Sequence, residues 1–291
     1  MMNESADLEL PDAAAREGAG DFLFTERDFR FIADLIGSHA GIVLSEIKKD
    51  LVYGRLVKRL RFLGLKKFSD YCNLLQRNDG VEFEEFVNSL TTNLTGFYRE
   101  SHHFDYLQEK LLPVLTSGRA DKTLRVWSAG CSTGAEPYSI AMAATEALPA
   151  GWDLKILATD IDTGVLATAD QGIYDYEWCK RGLGEQRMRR WMMRGSGVHA
   201  DQVKVKPEIR GKVTFRSLNL LDAWPMKKSF DLIFCRNVVI YFDKPTQSVL
   251  FDRMAGQLSD SGYLFIGHSE SLNKVCDRFT LIGKTVYQRV S

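Results

Sequence analysis

Apolar residues follow a helical spacing in the first third of the chain. Two stripes stand out, made by Phe29, Ile32, Leu35 and Ile36 and by Phe83, Phe86, Val87 and Leu90. Recurrence at every third or fourth position places apolar side chains on one face of a helix. The pattern predicts a small all-helical domain over residues 23–95, followed by a linker with a helix over residues 96–122.

The pattern changes after about residue 122. Short runs rich in apolar and β-branched residues alternate there with helical segments, and five of them read as strands: "TLRVWSA", "LKILATDI", "KVTFRSLNL", "FDLIFCRN" and "GYLFIGHSE". Such alternation is typical of a parallel sheet covered by helices on both faces. We therefore predict an α/β domain over residues 123–291, in which "RFTLIGKTVYQRV" adds a final strand, turn and strand.

One segment interrupts this alternation. The stretch "MRRWMMRGSGVHADQVKVKPEIRG" is too long and too rich in turn residues for a simple connection between a strand and a helix. Gly195 and Gly197, followed by the alternating Val203 and Val205, indicate a hairpin. We predict a small antiparallel β-subdomain inserted at about residues 176–212.

Composition narrows the choice of partners and compartment. Lys plus Arg equals Asp plus Glu at 38 each, so the total charge does not indicate a nucleic-acid or membrane partner. Residues 1–22 are acidic and predict a disordered tail. Five cysteines without a Cys-x-x-Cys pair argue against a zinc site and for a reducing compartment. Because a signal peptide and an 18-residue apolar run are both missing, we expect a cytoplasmic protein.

The loop after the first predicted strand, "VWSAGCSTGAEPYS", has the position of a nucleotide-binding turn. It matches neither of the two commonest phosphate-binding motifs, because Ala135 replaces the Walker lysine and Ser132 replaces the second glycine of the dinucleotide fingerprint. The spacing Ser128-x-Gly130-x-Ser132-x-Gly134 follows the glycine frame of S-adenosylmethionine enzymes, with serine at two positions. A structural turn without a ligand is the alternative interpretation.

Polar residues also end the next three strands. Asp160 comes where such folds place an acid that binds the ribose hydroxyls. The alternative role for Asp160 is to cap the following helix, but Asp162 could cap that helix instead. Asn219 and Asn237 follow the third and fourth strands. The carboxyl ends of parallel strands lie at one edge of the sheet, so these side chains suit contacts to the adenine edge and the ribose.

The segment after the fourth strand bears on the methyl acceptor. It reads "CRNVVIYFD" and lacks both the amide-and-proline motif and the Pro-Cys motif of base-methylating enzymes, which disfavours a nucleic-acid base. A glutamate carboxylate has a pKa of about 4.3 and needs no general base at neutral pH. The enzyme then has to supply alignment, for which Arg99 and Tyr241 are candidate donors.

Five segments in this order resemble the CheR family of chemotaxis receptor glutamate methyltransferases: "LTTNLTGFYRESHHF", "VWSAGCSTGAEPYSIAM", "ATDID", "FDLIFCRNVVIYFDKPTQ" and "LFIGHSESL". The resemblance extends from about residue 25 to the C-terminus. It implies a class I S-adenosylmethionine-dependent methyltransferase fold. It also implies methylation of glutamate side chains on the cytoplasmic helical bundle of chemoreceptors for sensory adaptation, giving methyl esters and S-adenosylhomocysteine.

The resemblance also implies the site residues. Gly130 leaves room for the methionine part of the cofactor, and Arg99 and Tyr241 lie beside the methyl-transfer centre. Cofactor contacts fall on Asn93, Thr95, Arg99, Glu136, Asp160, Asn219, Leu220, Arg236 and Asn237. No metal is expected, since His102 and His103 are adjacent and lack an evident third ligand. The protein is expected to be a monomer that is recruited from the cytoplasm to receptor arrays.

Two regions predict contacts with the receptor. In a subset of the family, the β-subdomain binds the receptor's C-terminal pentapeptide as an added strand, and the loop with Gly195 and Gly197 is typical of that subset; a flap without a partner is the alternative. The stretch "KKDLVYGRLVKRLRFLGLKK" carries eight basic residues and one acidic residue. Its Arg55, Lys58 and Arg59 predict docking onto acidic receptor helices, although a solvated helix face is the alternative.

Two other function classes agree less well with these residues than an enzyme does. A scaffold that keeps the cofactor pocket as a sensor would not need Arg99, Asp160, Asn237 and Tyr241 together. Methylation of RNA is disfavoured by the neutral total charge.

Overall fold

The computed structural model describes residues 22–77 and 80–290, so the predicted acidic tail, apart from residue 22, lies outside the described part of the chain. Within the described residues, no helix combines the length and the apolar character that crossing a bilayer requires.

Four helices form the N-terminal domain. They are α1 (Glu26–Ala40), α2 (Lys49–Phe62), α3 (Phe68–Gln76) and α4 (Val81–Leu90). A capping box begins α1, since the Thr25 hydroxyl accepts from the Asp28 N–H (3.2 Å) and the Asp28 carboxylate accepts from the Thr25 N–H (3.0 Å). The predicted apolar stripes form one core, in which Ile32, Ile36 and Phe86 are fully buried.

A linker joins this domain to the sheet. It contains α5 (His102–Tyr106), a π-helical turn (Leu107–Leu111) and α6 (Leu112–Thr116). Leu107, Leu111 and Leu112 are buried in the hydrophobic core of the sheet domain. The linker helices therefore belong to the sheet domain by packing, although they precede its first strand.

A seven-stranded sheet forms the centre of the second domain. Its strands are β1 (Thr123–Ala129), β2 (Asp153–Asp160), β6 (Val213–Ser217), β7 (Phe230–Cys235), β8 (Leu258–Ile266), β9 (Phe279–Gly283) and β10 (Val286–Arg289). The order is β6-β2-β1-β7-β8-β10-β9, with the first five strands parallel and β10 antiparallel to both of its neighbours. The chain reverses direction of winding between β1 and β7, which is where open α/β sheets bind ligands.

Helices cover both faces of this sheet, as the sequence predicts. They include α7 (Ala135–Ala147), α8 (Thr163–Gln171) and α11 (Lys244–Gln257). Alternate residues of β1 enter two different cores, with Leu124 and Val126 in one and Trp127 and Ala129 in the other. The predicted α/β fold with a preceding all-helical domain is confirmed.

The inserted subdomain is larger than the predicted hairpin. It comprises β3 (Ile173–Asp175), α9 (Tyr176–Trp191), β4 (Met192–Arg194), β5 (Gln202–Val205) and α10 (Pro207–Arg210). Its strands form an antiparallel sheet in the order β3-β5-β4. Because β3 has only three residues and α9 separates it from β4, no local alternation in the sequence indicates that it belongs to this sheet.

Candidate cofactor and acceptor site

A cavity of about 350 Å³ lies at the carboxyl ends of β1, β2 and β7, between the sheet domain and the helical domain. Every residue that the sequence analysis predicts to contact the cofactor lines it, as does Tyr241. These are Asn93, Thr95, Arg99, Gly130, Glu136, Asp160, Asn219, Leu220, Arg236 and Asn237. Residues more than a hundred positions apart thus share one cavity, whereas Lys58, Arg59, Gly195 and Gly197 lie outside its lining.

Asp160 ends β2 at the wall of this cavity. Two backbone N–H groups hold its carboxylate, with Ser132 donating to Oδ2 (2.7 Å) and Asp162 donating to Oδ1 (3.0 Å). Burial raises the pKa of Asp160, and the two N–H donors oppose that shift. Each carboxylate oxygen keeps acceptor capacity beyond one bond, so the group can also accept from the hydroxyls of a ligand.

Asp162 fills the helix-capping role that was the alternative for Asp160. Its Oδ1 accepts from the Val165 N–H (3.1 Å) and begins α8. Its Oδ2 accepts from the Thr91 hydroxyl (2.6 Å) and from the Asn93 amide (2.7 Å). The Asn93 amide therefore fixes the linker to the sheet domain in addition to lining the cavity.

A buried ion network forms part of the cavity wall. Arg236, whose side chain is 2% exposed, lies 3.2 Å from both Glu100 and Glu136 and donates to the backbone oxygen of Arg99 (2.6 Å). The Ser128 hydroxyl donates to Glu136 (2.7 Å). Ser128, which occupies the position of an acid at the end of β1, thus holds an acid from α7 instead.

The contacts within this network shift the pKa values of Glu136 and Glu100. Burial raises the pKa of Glu136, and the Arg236 charge opposes that shift. Burial also acts to raise the pKa of Glu100, but a hydrogen bond from His268 and the Arg236 charge outweigh it and leave that pKa at about 2. Glu100 is therefore ionised at neutral pH and pairs with Arg236.

Arg99 lies in a strained part of the linker. Its neighbours Tyr98 and Glu100 have left-handed backbone angles, with φ of 52° and 56°, and each such residue costs about 1–3 kcal/mol. The Tyr98 N–H donates to the Ser139 hydroxyl (3.0 Å), which together with the Arg236 bond to Arg99 holds the backbone in place. The Arg99 guanidinium donates to the Leu94 carbonyl (2.8 Å) at the cavity wall.

Tyr241 reaches the same cavity from the loop after β7. It ends a 3₁₀ turn (Val239–Tyr241), and its carbonyl accepts from the Val43 N–H of the helical domain (2.9 Å). The cavity therefore has a guanidinium from the linker and a phenol from the sheet domain in its wall. Both groups are hydrogen-bond donors that can orient an acceptor molecule.

Asn219 and Gly130 have structural roles that the sequence analysis did not foresee. The Asn219 amide donates to the His39 carbonyl (2.7 Å), and its side-chain oxygen accepts from the Leu221 N–H (3.0 Å). This side chain joins the two domains and also lines the cavity, and its contact with the adenine edge stays a prediction. Gly130 has φ of 82°, and a Cβ there would lie 2.3 Å from Val238 Cγ2, so a protein contact already requires glycine.

Two of the three predicted docking residues on the basic helix α2 have partners inside the protein. Arg59, with a side chain only 16% exposed, pairs with Glu82 and Glu85 inside the helical domain. Arg55 donates to the carbonyls of Leu90 (2.7 Å) and Thr91 (2.8 Å) and lines the cavity. Lys58 is exposed. Arg55 and Arg59 thus bind groups within the protein, and their part in receptor docking stays a prediction.

His103 is a core residue. Its side chain is fully buried, and its Nε2 lies 2.9 Å from the Lys284 carbonyl. Burial and the nearby Arg236 charge lower the pKa of His103 to about 4. Ligand atoms of Glu100, His102 and His103 lie within 4.8 Å of one another, but Arg236 is 3.2 Å from that Glu100 carboxylate and its charge disfavours a metal cation there.

Gly195 and Gly197 lie in the connection between β4 and β5. A Cβ at Gly195 would lie 2.0 Å from the His199 carbonyl, and Gly197 has φ of 59°. These glycines shape the loop of the subdomain, and their part in peptide binding stays a prediction.

Two parts of the site are not evident from the sequence alone. The helical domain supplies a wall of the cavity through Ile42, Leu51 and Leu90, because residues of α2 and α4 reach the sheet only in the tertiary fold. Glu270, within the quoted segment "LFIGHSESL", received no role, although its buried carboxylate binds the loop that carries Asn237. Glu270 is the one acidic residue of that segment, which is the signal that could have indicated it.

Comparison with known families supports the arrangement. Residues 27–91 match the family model "CheR methyltransferase, all-alpha domain". Residues 93–288 match the family model "CheR methyltransferase, SAM binding domain". The chain belongs to the CheR methyltransferase family. The boundary between the two CheR domains falls where α4 ends and the linker begins.

Individual relatives agree with this assignment. The "Chemotaxis protein methyltransferase" of Escherichia coli (strain K12) is 47% identical over 268 residues, which cover 90% of this chain and 91% of the relative. The protein of the same name from Salmonella typhimurium is 46% identical over 268 residues, or 90% of each chain. "Chemotaxis protein methyltransferase 2" of Pseudomonas aeruginosa is 45% identical over 273 residues, or 93% and 95%.

The cavity has the chemistry that S-adenosylmethionine requires. That molecule carries a ribose diol, an ammonium, a carboxylate and a sulfonium. The cavity offers the acids Asp160 and Glu136 to the hydroxyls and cations, and the guanidinium groups of Arg99 and Arg236 to the carboxylate. The residues present therefore fit the cofactor that the family description names.

Proposed function

We propose that this protein transfers a methyl group from S-adenosylmethionine to glutamate side-chain carboxylates on the cytoplasmic part of chemoreceptors. The products are glutamate methyl esters and S-adenosylhomocysteine. The observation that carries the proposal is a single cavity that combines acids at strand ends with Arg99 and Tyr241 on separate elements. The names of the relatives support the chemotaxis setting, in which the protein would act as a monomer in the cytoplasm, recruited to receptor arrays.

In this proposal, the acids of the cavity hold the methyl donor. Asp160 accepts hydrogen bonds from the ribose hydroxyls, and each bond to a charged acceptor contributes roughly 1.5–3 kcal/mol. Glu136 faces the ammonium, with Ser128 and Arg236 fixing its orientation. Asn237 and Thr95 complete the wall around the nucleoside.

The acceptor needs little chemical activation. S-adenosylmethionine, when bound, supplies a methyl group on a sulfonium, and an ionised carboxylate accepts it without releasing a proton. A carboxylate with a pKa of about 4.3 is already ionised at neutral pH. Arg99 and Tyr241 would donate hydrogen bonds to the acceptor carboxylate and align one oxygen with the methyl group, and good alignment corresponds to effective molarities of about 10⁵–10⁸ M.

Transfer of labelled methyl from S-adenosylmethionine to receptor-containing membranes tests this function. We expect label in the receptor that mild alkali releases as methanol, because carboxyl esters hydrolyse in base. Arg99→Ala and Tyr241→Phe should lower transfer, whereas Lys110→Glu, an exposed linker change, should not. Label that resists alkali would contradict the carboxylate acceptor.

The surface next to the cavity suggests how a receptor helix docks. Lys58 is exposed on α2, Ile47 is 95% exposed just before it, and Leu51 at the cavity rim is 48% exposed. Leu51 and Lys58 are seven positions apart on α2 and so lie on one face of it, and a face with apolar and cationic side chains suits an amphipathic acidic helix. Lys58→Glu should slow methylation at low salt more than Lys110→Glu does, with a smaller difference at high salt because ions screen exposed charges. Equal rates for the two variants would remove Lys58 from the docking surface.

The β-subdomain is the proposed site for a receptor C-terminal pentapeptide. In the order β3-β5-β4, both outer strands have a free edge within the described residues, and strand addition uses such an edge. Calorimetric titration with an acidic pentapeptide that contains Trp and Phe tests this, and we expect saturable binding. A titration without heat of binding at any peptide concentration would remove the tether.

A further inference from the structure

The loop after β7 carries three residues of the site. Arg236, Asn237 and Tyr241 all line the cavity and lie within six consecutive positions. Asn237 has a left-handed backbone with φ of 59°, a conformation that asparagine adopts more readily than most other non-glycine residues. The positions of these three side chains depend on the groups that hydrogen-bond to the backbone of the loop.

Glu270 is the group that binds the backbone of this loop. Its carboxylate accepts from the N–H groups of Asn237 (3.0 Å), Val239 (3.0 Å) and Gly267 (2.5 Å). The residue is 6% exposed. Burial raises the pKa of Glu270, and these backbone N–H donors oppose the shift. Among the described residues, no ion pair involves Glu270, so its bonds to the backbone are its main interaction.

Two neighbouring features complete this arrangement. A Cβ at Gly267 would lie 2.5 Å from Asn237 Nδ2, so the turn after β8 packs directly against the Asn237 side chain. Gln247, itself 7% exposed, donates to the carbonyls of Val239 (2.8 Å) and Phe242 (3.0 Å). The loop thus has N–H groups bound by Glu270 and carbonyl groups bound by Gln247.

We propose that Glu270 is a positioning residue for methyl transfer, which sets the backbone of the loop so that Asn237 and Tyr241 face the cavity. The inference rests on the proposed function. A carboxylate suits this task because both of its oxygens accept hydrogen bonds. Glutamine has the same shape but replaces one acceptor with an NH₂ group, which would face backbone donors.

Comparison of Glu270→Gln with Glu109→Gln tests the proposal in the full chain. Glu109 is exposed in the linker and provides a matched control. We expect Glu270→Gln to lower kcat about 10²-fold, the size of effect that a misplacement of about 1 Å produces. The Kd for S-adenosylhomocysteine, measured by calorimetry, should rise by a smaller factor, because Asp160 and Glu136 remain in place.

Several outcomes would overturn the proposal. Wild-type kcat in a folded Glu270→Gln protein would do so, as would a lower melting temperature with unchanged kcat, since that indicates a purely structural role. If Glu270→Gln does not fold, Glu270→Asp provides a second variant that keeps the charge but has a shorter side chain. We expect an intermediate loss of kcat for Glu270→Asp, and an unchanged kcat would again contradict the proposal. Failure of the wild-type protein to form alkali-labile ester would instead contradict the proposed function, while the effect of Glu270→Gln on cofactor affinity would still be measurable.

Discussion

Replacement of Arg236 by methionine tests the buried ion network most severely. The guanidinium is 2% exposed, lies 3.2 Å from both Glu100 and Glu136, and donates to the Arg99 carbonyl. Methionine has a similar length and no charge, so it leaves Glu136 without its cation and leaves Glu100 with His268 as its remaining hydrogen-bond partner. Breaking a buried ion pair by removing one partner costs about 3–5 kcal/mol.

The expected loss can be measured as a melting temperature. At roughly 2–4 °C per kcal/mol for domains of this size, a loss of 3–5 kcal/mol corresponds to about 6–20 °C. Arg189→Met provides the control, since Arg189 forms an exposed pair with Glu185 and its side chain is 83% exposed. Such a pair contributes at most about 1 kcal/mol. Thermal unfolding without ligand measures both variants.

The loss should also depend on pH. In the wild-type protein the pKa of Glu100 is about 2, below its unfolded value near 4.3, so its contribution to stability is present above about pH 4.3 and is lost as the pH falls toward 2. In the variant the Arg236 charge no longer lowers the pKa of either acid, so both carboxylates should become protonated at a higher pH than in the wild type, which removes buried charge. The difference between wild type and variant should therefore be largest at neutral pH and smaller at about pH 5.

Two results would refute this reasoning. One is a loss for Arg236→Met no larger than that of Arg189→Met, which would mean that water or a rearranged side chain compensates the acids. The other is an equal loss at neutral and acidic pH, which would mean that the destabilisation comes from packing and not from unpaired charge.

Three further predictions concern other parts of the site. Arg59→Met should lower the free energy of unfolding by about 3–5 kcal/mol, because Arg59 pairs with the buried Glu82. The control Lys58→Met, at the neighbouring position, should change it by at most about 0.5 kcal/mol. Equal effects of the two variants in urea unfolding would contradict the internal role of Arg59. Asp162→Ala should cost about 0.5–2 kcal/mol of stability through loss of the α8 cap. It should also weaken S-adenosylhomocysteine binding measured by calorimetry, because Thr91 and Asn93 lose their hydrogen-bond acceptor in the sheet domain. Unchanged binding would show that these bonds do not support the cofactor site. Gly130→Ala should cost about 1–3 kcal/mol, and Val238→Ala in the same chain should recover part of that loss; no recovery would show that the Val238 contact is not the cause.

Local sequence patterns accounted well for the fold. The run "TLRVWSA" coincides with β1, and α8 begins directly after its candidate cap, Asp162. These elements have strong periodicity and clear caps. The subdomain was predicted less well because β3 has only three residues, and short strands depend on partners elsewhere in the chain rather than on their own pattern.

The site residues were predictable where local patterns placed them and unpredictable where distant contacts did. Asp160 and Asn237 follow predicted strands, so the rule that strand ends share one edge brought them to one cavity. The partner of Arg59 lies 23 positions away in another helix, and the partner of Asn219 lies 180 positions away. No spacing in the sequence encodes such contacts. The positive charge of Arg59 alone therefore gave no indication of its ion pairs with Glu82 and Glu85.

Mass spectrometry of the methylated receptor tests the central claim most directly. After incubation of the purified protein with S-adenosylmethionine and receptor-containing membranes, we predict a mass increase of one CH₂ group on glutamate side chains of the receptor's cytoplasmic part. Mild alkali should remove it, and Arg99→Ala should prevent its formation. A mass increase on lysine or on another residue, or one that survives alkali, would contradict the account.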